Sequence, residues 1–326
     1  MWFNSFKQLA GLSPAYFDFK KVLQLIPRLV HSFLKLILTR LTRILFYFFF
    51  IPCTFLLQKI TTSYKIKKMT KLEQYYNKFK EDHRLTTRHG KVEFTVSMEK
   101  IHELIREYKI ENPKILDVGA GTGRYSVALA REGFDVTAVE LVKHNLDILL
   151  AKHEMVKCWP GDARNMHFLE DNTFDITLVF GPMYHLHTEE DRLKVLAEAR
   201  RVTKKRGLIF VAYIMNEYSI LTYCFKQGNL KECLKNKTVT SDFKAITTND
   251  DLYSFVRLED VNSLDKQAGL TRIKIFAPDG AADYMRRELN AMDEETFEQF
   301  IKYQLAVCER PELLGASSHI VDVLEN

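Results

Sequence analysis

The sequence contains no Cys-x-x-Cys pair, no internal repeat and no uncharged apolar run longer than fourteen residues. The number of cysteines is odd, and they are widely separated, at Cys53, Cys158, Cys224, Cys233 and Cys308. This pattern excludes a disulfide scaffold and a zinc ribbon, and it fits a reducing cytoplasm. Of the 326 residues, 46% are hydrophobic and 27% are charged, which excludes a disordered chain, a collagen-like repeat and a multi-span membrane protein.

The excess positive charge is confined to the N-terminal fifth of the chain. Residues 1–68 contain eleven basic residues and one acid, whereas the remainder contains 36 basic and 41 acidic residues. The mildly acidic body lacks the charge of a nucleic-acid binder.

Three interpretations of residues 1–68 are open. The apolar stretch within 29–57 is interrupted by basic residues, and its uncharged part, 44–57, is shorter than the roughly 20 residues of a spanning helix. The segment is either a membrane anchor or interfacial helix, a helix packed on the body, or an upstream extension of a protein that starts at Met69. Basic residues on both sides of the run leave its orientation undetermined.

From residue 114 onward, short apolar segments alternate with helical patterns. They are Lys114–Val118, Asp135–Val139, Met155–Cys158, Phe174–Phe180, Gly207–Ile214, Arg272–Phe276 and Ser318–Leu324. Such alternation is typical of a parallel sheet covered on both faces. We predict an α/β fold with a doubly wound, mostly parallel seven-stranded sheet over residues 114–326. Residues 69–113 are predicted to form a helical lid and residues 215–256 a helical insertion over the site.

A glycine-rich turn follows the first predicted strand, in Asp117-Val-Gly119-Ala120-Gly121-Thr-Gly123. Glycines allow a tight turn and close approach of a ligand, and the helix that follows offers free N–H groups. Glu140 ends the next strand, where a carboxylate can accept hydrogen bonds from both hydroxyls of a ribose. The spacing lacks the third glycine or alanine of the dinucleotide pattern, because positions 124 and 126 are Arg and Ser. The turn therefore predicts an adenosine-bearing cofactor other than a dinucleotide.

The segment Ile115–Ser126 (ILDVGAGTGRYS), together with Glu140, closely resembles motifs I and II of the class I S-adenosylmethionine-dependent methyltransferases. Gly161-Asp162-Ala163 resembles the third motif, and Phe180-Gly-Pro-Met-Tyr184-His185 lies where the fourth motif lines the methyl-transfer site. Residues 312–319 (ELLGASSH) resemble a bacterial branch of small methyltransferases whose acceptors are largely unassigned.

This resemblance implies S-adenosylmethionine as the cofactor. Asp117 would accept from its amino group, Glu140 would hold the ribose, and Asp162 would bind the adenine. The implied cofactor-binding residues are Asp117, Gly119, Ala120, Gly121, Gly123, Glu140, Leu141, Asp162, Ala163 and Phe180.

The acceptor side gives a weaker signal. Tyr184 and His185 are the candidate catalytic residues, since histidine titrates near neutral pH, although a structural hydrogen bond is an equal alternative for His185. Arg88, Glu93 and His319 are candidate substrate-binding residues, with surface or core roles as their alternatives. His185 and His187 lack a visible third ligand, so no metal is predicted.

These observations predict a cytoplasmic methyltransferase that acts on a small-molecule acceptor, with membrane association through residues 29–57 left open. The Gly-Pro-Met-Tyr segment lacks the side-chain acceptor that holds an exocyclic base amine, which disfavours a nucleic-acid substrate. Two alternatives are a tRNA or rRNA methyltransferase and a non-catalytic cofactor-binding protein tethered to a membrane.

Overall fold

The computed structural model describes residues 70–78 and 86–326, and residues 69–326 form one compact unit. The predictions for residues 1–68, including membrane association through 29–57, lie outside the described residues. Within the described part of the chain, no helix has both the length and the apolar character needed to span a membrane.

In the described residues, one seven-stranded sheet has the order β3-β2-β1-β4-β5-β7-β6. Strands β1 to β5 are parallel, and β7 is antiparallel to both β5 and β6. The predicted mostly parallel sheet is confirmed, with an antiparallel end. The strands are β1 Lys114–Val118, β2 Asp135–Glu140, β3 Val156–Pro160, β4 Phe174–Val179, β5 Thr203–Ile214, β6 Thr271–Phe276 and β7 His319–Glu325.

Helices precede the sheet, connect its strands and make up part of the segment between β5 and β6. In the described residues they are α1 Lys71–Tyr76, α2 Arg88–Glu107, α3 Arg124–Arg131, α4 Lys143–Leu150, α5 Glu189–Val202, α6 Asn216–Ser219, α7 Leu230–Asn236, α8 Leu258–Ala268, α9 Arg286–Ala291, α10 Glu294–Val307 and α11 Pro311–Leu314. A 3₁₀ turn at Pro182–His185 follows β4, and a π-helix at Ile220–Lys226 follows α6.

The two faces of the sheet carry two separate cores. Along β5, Leu208, Phe210 and Ala212 belong to one core, whereas Ile209 and Val211 belong to the other. Because side chains alternate along a strand, each face needs its own covering layer. Helix α2 covers the first face and α5 covers the second. The result is the doubly wound arrangement.

Most strand bounds differ from the predicted ones by one or two residues, and the larger differences lie in the lid, in β5 and in the insertion. Within the predicted lid, 69–113, the long helix is α2, which Thr87 caps at its N-terminus and whose buried apolar stripe starts at Val92. Strand β5 begins at Thr203, four residues before the predicted start, because Thr203 pairs with Phe174 across an irregular register. The segment 215–256 is helical only to Asn236, and its second half is held by isolated bridges such as Met215 with Val256.

Candidate active site

A cavity of about 1060 Å³ lies where β1, β2 and β4 end. Ligands of open parallel sheets bind beyond the carboxyl ends of the strands, at the point where the strand order reverses. Here that point lies between β1 and β4, which are neighbours in the sheet. Gly119 and Gly121 line the cavity from the turn after β1, with Glu140 from β2 and Phe180 after β4.

The glycine turn has backbone angles that favour glycine. Gly119 and Gly123 have φ of 73° and 84°, and Gly123 starts α3 without a side-chain cap. A Cβ on Gly119 would lie 2.6 Å from Cδ of Pro182, and a Cβ on Gly123 would collide with Cδ1 of Leu149. Both positions therefore require glycine because of their φ and of close packing.

Glu140 supports the glycine turn with both of its carboxylate oxygens. Its Oε2 accepts the N–H of Gly121 at 2.7 Å, and its Oε1 accepts the N–H of Val142, also at 2.7 Å. The residue is only 5% exposed, yet it lines the cavity. Each carboxylate oxygen has two acceptor positions, so these bonds leave capacity for a ligand hydroxyl.

Asp117 is buried at the end of β1 and does not line the cavity. Its Oδ2 accepts the hydroxyl of Ser126 at 2.5 Å. Burial raises the pKa of Asp117 to about 6, while hydrogen bonds from the side chain and backbone of Ser126 oppose the rise. In this structure Asp117 therefore joins the glycine turn to α3, and its predicted contact with the cofactor stays a prediction.

Asp162 lies in the turn after β3 and lines the cavity. Its Oδ2 accepts Nη2 of Arg164 at 2.7 Å, and its Oδ1 accepts the backbone N–H of Arg164 at 2.9 Å. Burial opposes ionisation, but these bonds outweigh it and hold the pKa of Asp162 below its ordinary value. The carboxyl is therefore an acceptor at neutral pH.

The remaining predicted cofactor residues fall into two groups. Leu141, Ala163 and Phe180 line the cavity, whereas Ala120 and Gly123 lie in the turn behind it. The ring of Phe180 packs edge-on against Tyr125, with their centroids 4.9 Å apart.

His185 lies half-buried among aromatic rings on the cavity wall. Its Nδ1 lies 2.7 Å from the carbonyl oxygen of Leu252, and its Nε2 lies 3.1 Å from the hydroxyl of Tyr76. A carbonyl can only accept, so Nδ1 carries the proton and Nε2 accepts from Tyr76. The ring stacks on Tyr253, and burial lowers the pKa of His185 to about 4. His185 is thus neutral at physiological pH and a weak proton acceptor.

His319 starts β7 and reaches the same cavity. Its Nδ1 donates to Oδ2 of Asp279 at 2.7 Å, and Oδ1 of Asp279 accepts the hydroxyl of Ser317 at 2.6 Å. The ring of Tyr184 lies beside it, with centroids 5.3 Å apart. Asp279 is 2% exposed, so a buried carboxylate fixes the orientation of this imidazole.

Glu93, Asp279 and His319 form a cluster whose nearest ligand atoms all lie within 4.8 Å of one another. Such a group resembles a metal site in composition. However, Asp279 and Nδ1 of His319 already bond to each other, which makes Asp279 an orienting partner of the ring rather than a third ligand. We therefore treat the cluster as a hydrogen-bonded part of the cavity wall.

Arg88, the third predicted substrate-binding residue, does not line the cavity. Its Nη2 lies 3.0 Å from Oε2 of Glu294, and its guanidinium lies over the ring of Phe297. The geometry therefore places Arg88 in the contact between α2 and α10. Glu93, one turn further along α2, does line the cavity.

Sequence reasoning missed four residues that shape this site: Ser126, Asp279, Tyr253 and Tyr76 as a partner of His185. Ser126 stands three residues after Gly123, at the end of the segment Ile115–Ser126 that carries the glycine turn, and could have been found there as a hydroxyl donor. Asp279 and Tyr253 lie in irregular segments and meet the site across 40 and 68 residues, respectively, so no local pattern points to them.

Comparison with known proteins points to one family. Residues 116–211 match a family described as a methyltransferase domain. The chain is 31% identical over 103 residues to a glycine/sarcosine N-methyltransferase of Aphanothece halophytica, covering 30% of this chain and 39% of that protein. It is 36% identical over 104 residues to a demethylmenaquinone methyltransferase of Renibacterium salmoninarum, covering 32% and 42%. The chain thus spans less than half the length of these curated relatives.

Solved structures give a similar but distant match. An S-adenosylmethionine-dependent methyltransferase from Thermotoga maritima has a TM-score of 0.47 and 16% identity, over 78% of this chain and 97% of that one. Another, from Archaeoglobus fulgidus, has a TM-score of 0.41 and 15% identity, over 70% and 94%.

Proposed function

We propose that this chain, whose residues 116–211 match a methyltransferase domain, transfers a methyl group from S-adenosylmethionine to a small-molecule acceptor. The observation that carries the proposal is the single cavity that the glycine turn, Glu140, Asp162 and the aromatic wall all line. Methyl transfer needs both partners in one enclosure, and such a cavity meets that need.

The residues of the cavity fit the cofactor. The turn at Gly119 and Gly121 brings the backbone to the cavity without side chains, where the methionine part would lie. Glu140 would accept from the ribose hydroxyls, and Asp162 would accept from the adenine amino group. Bound S-adenosylmethionine supplies an activated methyl group on a sulfonium, with a neutral thioether as the leaving group. The protein therefore mainly positions the two partners and excludes water.

The acceptor would lie on the aromatic side of the cavity. Phe180, Tyr184, His185 and Tyr253 line that side, and Tyr75 and Tyr76 of α1 line it from the lid. Aromatic rings exclude water and orient a flat or apolar molecule. This composition supports a small molecule rather than a phosphate backbone, which would call for exposed cations.

Two histidines differ in what they can do for an acceptor that must lose a proton. We infer that His185 positions Tyr76 and Leu252, because its ring nitrogens are committed to them and its pKa is low. His319 is better suited to accept a proton, because Asp279 orients it and would stabilise the imidazolium that forms. Tyr184 would contact the acceptor beside it.

Cofactor binding is tested by calorimetric titration of S-adenosylmethionine into the full chain and a Glu140→Gln variant. Losing charge-assisted bonds to the ribose should weaken binding about 30–150-fold, equivalent to roughly 2–3 kcal/mol. The matched control is Asp135→Asn, at the exposed opposite end of the same strand, which should bind as the wild type does. Equal affinity of both variants would contradict the assigned role of Glu140.

The acceptor class is tested with S-adenosylmethionine that carries an isotopically labelled methyl group. The full chain is incubated with a small-molecule extract in one reaction and with total RNA in another. Label in a low-molecular-weight product supports the proposal. Label only in RNA would favour the RNA methyltransferase, and cofactor binding with no labelled product in either reaction would favour a non-catalytic role.

A further inference from the structure

A short part of the insertion carries half of the large apolar side chains that are exposed in the described residues. Twelve large apolar side chains are exposed in the described part of the chain, and six of them lie between positions 221 and 246. We call these six the insertion face: Leu221, Tyr223, Phe225, Leu234, Phe243 and Ile246. The rings of Phe225 and Phe243 are neighbours, with centroids 6.1 Å apart. Clustered exposure of this kind marks an interaction site, whereas single exposed apolar residues do not.

The same segment is apolar on its inner side as well. Ile220, Cys224, Cys233 and Val239 are buried and form a small core of their own. An ordinary surface helix presents polar residues opposite its buried stripe, and helices that are apolar on both sides are covered on both. The π-helix, which exposes Leu221, Tyr223 and Phe225 opposite this core, therefore has the pattern of an element with a second apolar neighbour.

The charge of the segment identifies the kind of neighbour. Residues 220–246 contain five lysines against Glu232 and Asp242. Lys231, Lys235 and Lys237 are exposed around α7. Lysines beside exposed aromatic and leucine side chains are typical of surfaces that lie at the interface of an anionic bilayer. Pairing with a second copy would instead bring two positively charged faces together.

We propose that the insertion face docks on the surface of an anionic lipid membrane. The aromatic and leucine side chains would enter the interfacial region while the lysines contact lipid phosphates. The composition of residues 1–68 is independently suited to the same surface, with eleven basic residues and the uncharged run 44–57. Tyr223 and Ile246 also line the cavity, so the docking face and the candidate acceptor site share side chains.

The proposal is tested with a local fluorescence probe in the full chain. Trp2→Phe and Trp159→Phe remove the native tryptophans, and Phe225→Trp places a single one on the insertion face. The vesicles contain brominated phosphatidylcholine as a quencher and about 30% phosphatidylglycerol as the anionic lipid. Tyr303→Trp is the matched control, because Tyr303 on α10 is 54% exposed and Phe225 is 52% exposed. A Leu221→Trp variant repeats the measurement if Phe225→Trp does not fold.

We expect emission from position 225 to shift to shorter wavelength and to be quenched, while position 303 is unchanged. Each lysine near an anionic surface contributes about fivefold in affinity, so replacing Lys231, Lys235 and Lys237 with glutamine should raise the lipid concentration for half-maximal quenching on the order of 100-fold. Co-sedimentation with vesicles without quenching at 225 would overturn the proposal, since other residues would then bind lipid. A concentration-dependent shift without vesicles would also overturn it, because a second copy would then cover the face.

Discussion

At the scale of single residues, the protonation of Asp117 makes the stability of the fold depend on pH. It is fully buried, and its pKa of about 6 lies above the 3.8 of the unfolded chain. Ionisation of this carboxyl therefore lowers the free energy of unfolding. Its stabilising contribution is fully present below about pH 3.8, where the carboxyl is protonated in both states, and it is lost as the pH rises through about 6.

The Asp117→Asn variant should remove this dependence. Between about pH 5 and about pH 7.5, we expect the free energy of unfolding of the wild type to fall by about 1 kcal/mol relative to that of the variant. Urea denaturation of both proteins at a series of pH values measures the difference, with Asp135→Asn as an exposed control. If the difference in the free energy of unfolding between wild type and variant stayed constant, Asp117 would be ionised throughout this pH range.

At the scale of elements, an arginine joins three of them at the antiparallel end of the sheet. Arg272 on β6 donates through Nε to Asp322 on β7 at 2.6 Å, and through Nη2 to Asp265 on α8 at 2.6 Å. Both carboxylates are buried, and burial together with the neighbouring Asp322 raises the pKa of Asp265. Without the arginine, two carboxylates would face each other away from water.

We expect Arg272→Ala to lower the free energy of unfolding by about 3–5 kcal/mol, because it leaves buried charge uncompensated. Denaturant unfolding at neutral pH measures this loss. The control is Arg131→Ala, which removes an exposed pair with Glu154 and should change stability little. Combining Arg272→Met with Asp322→Leu should recover part of the loss, and no recovery would argue that the arginine acts by packing alone.

The elements of the fold differ in how well local sequence patterns predict them. Strand β1 begins and ends where its pattern predicted, at Lys114–Val118, since its short apolar run is followed at once by the glycine turn. Glu140 lies at the predicted strand end because burial and alternation fix β2 locally. The start of β5 was not predicted because Lys204, Lys205 and Arg206 interrupt the apolar pattern that indicates a strand. Asp279 was missed because its partner His319 is 40 residues away and its own segment has no periodicity.

At the scale of the whole molecule, the cavity joins elements that are distant in the chain. Leu72, Tyr75 and Tyr76 line it from α1, while the glycine turn lines it from the sheet and Tyr223 from the insertion. None of the residues of α1 is buried, so its backbone hydrogen bonds should break easily in the absence of ligand.

Bound S-adenosylmethionine should therefore slow amide hydrogen exchange in α1. At a cofactor concentration about 100 times the dissociation constant, exchange that requires ligand release should slow about 100-fold. Mass spectrometry of peptides covering 71–76 measures the change, and α10 serves as the control because it does not line the cavity. Protection of the glycine turn without protection of α1 would show that α1 does not close over the ligand.

The place of β7 in the sheet has a consequence for how the protein is made. It is the last strand along the described chain, yet it lies between β5 and β6 and is the strand with which β6 pairs. On the ribosome, where synthesis adds about 5–20 residues per second, β6 emerges before the neighbour it needs. In the nascent chain, the edge of β5 therefore stays unpaired until His319–Glu325 has been synthesised. The same strand places His319 at the cavity. Completion of the sheet and completion of the pocket therefore depend on the same strand.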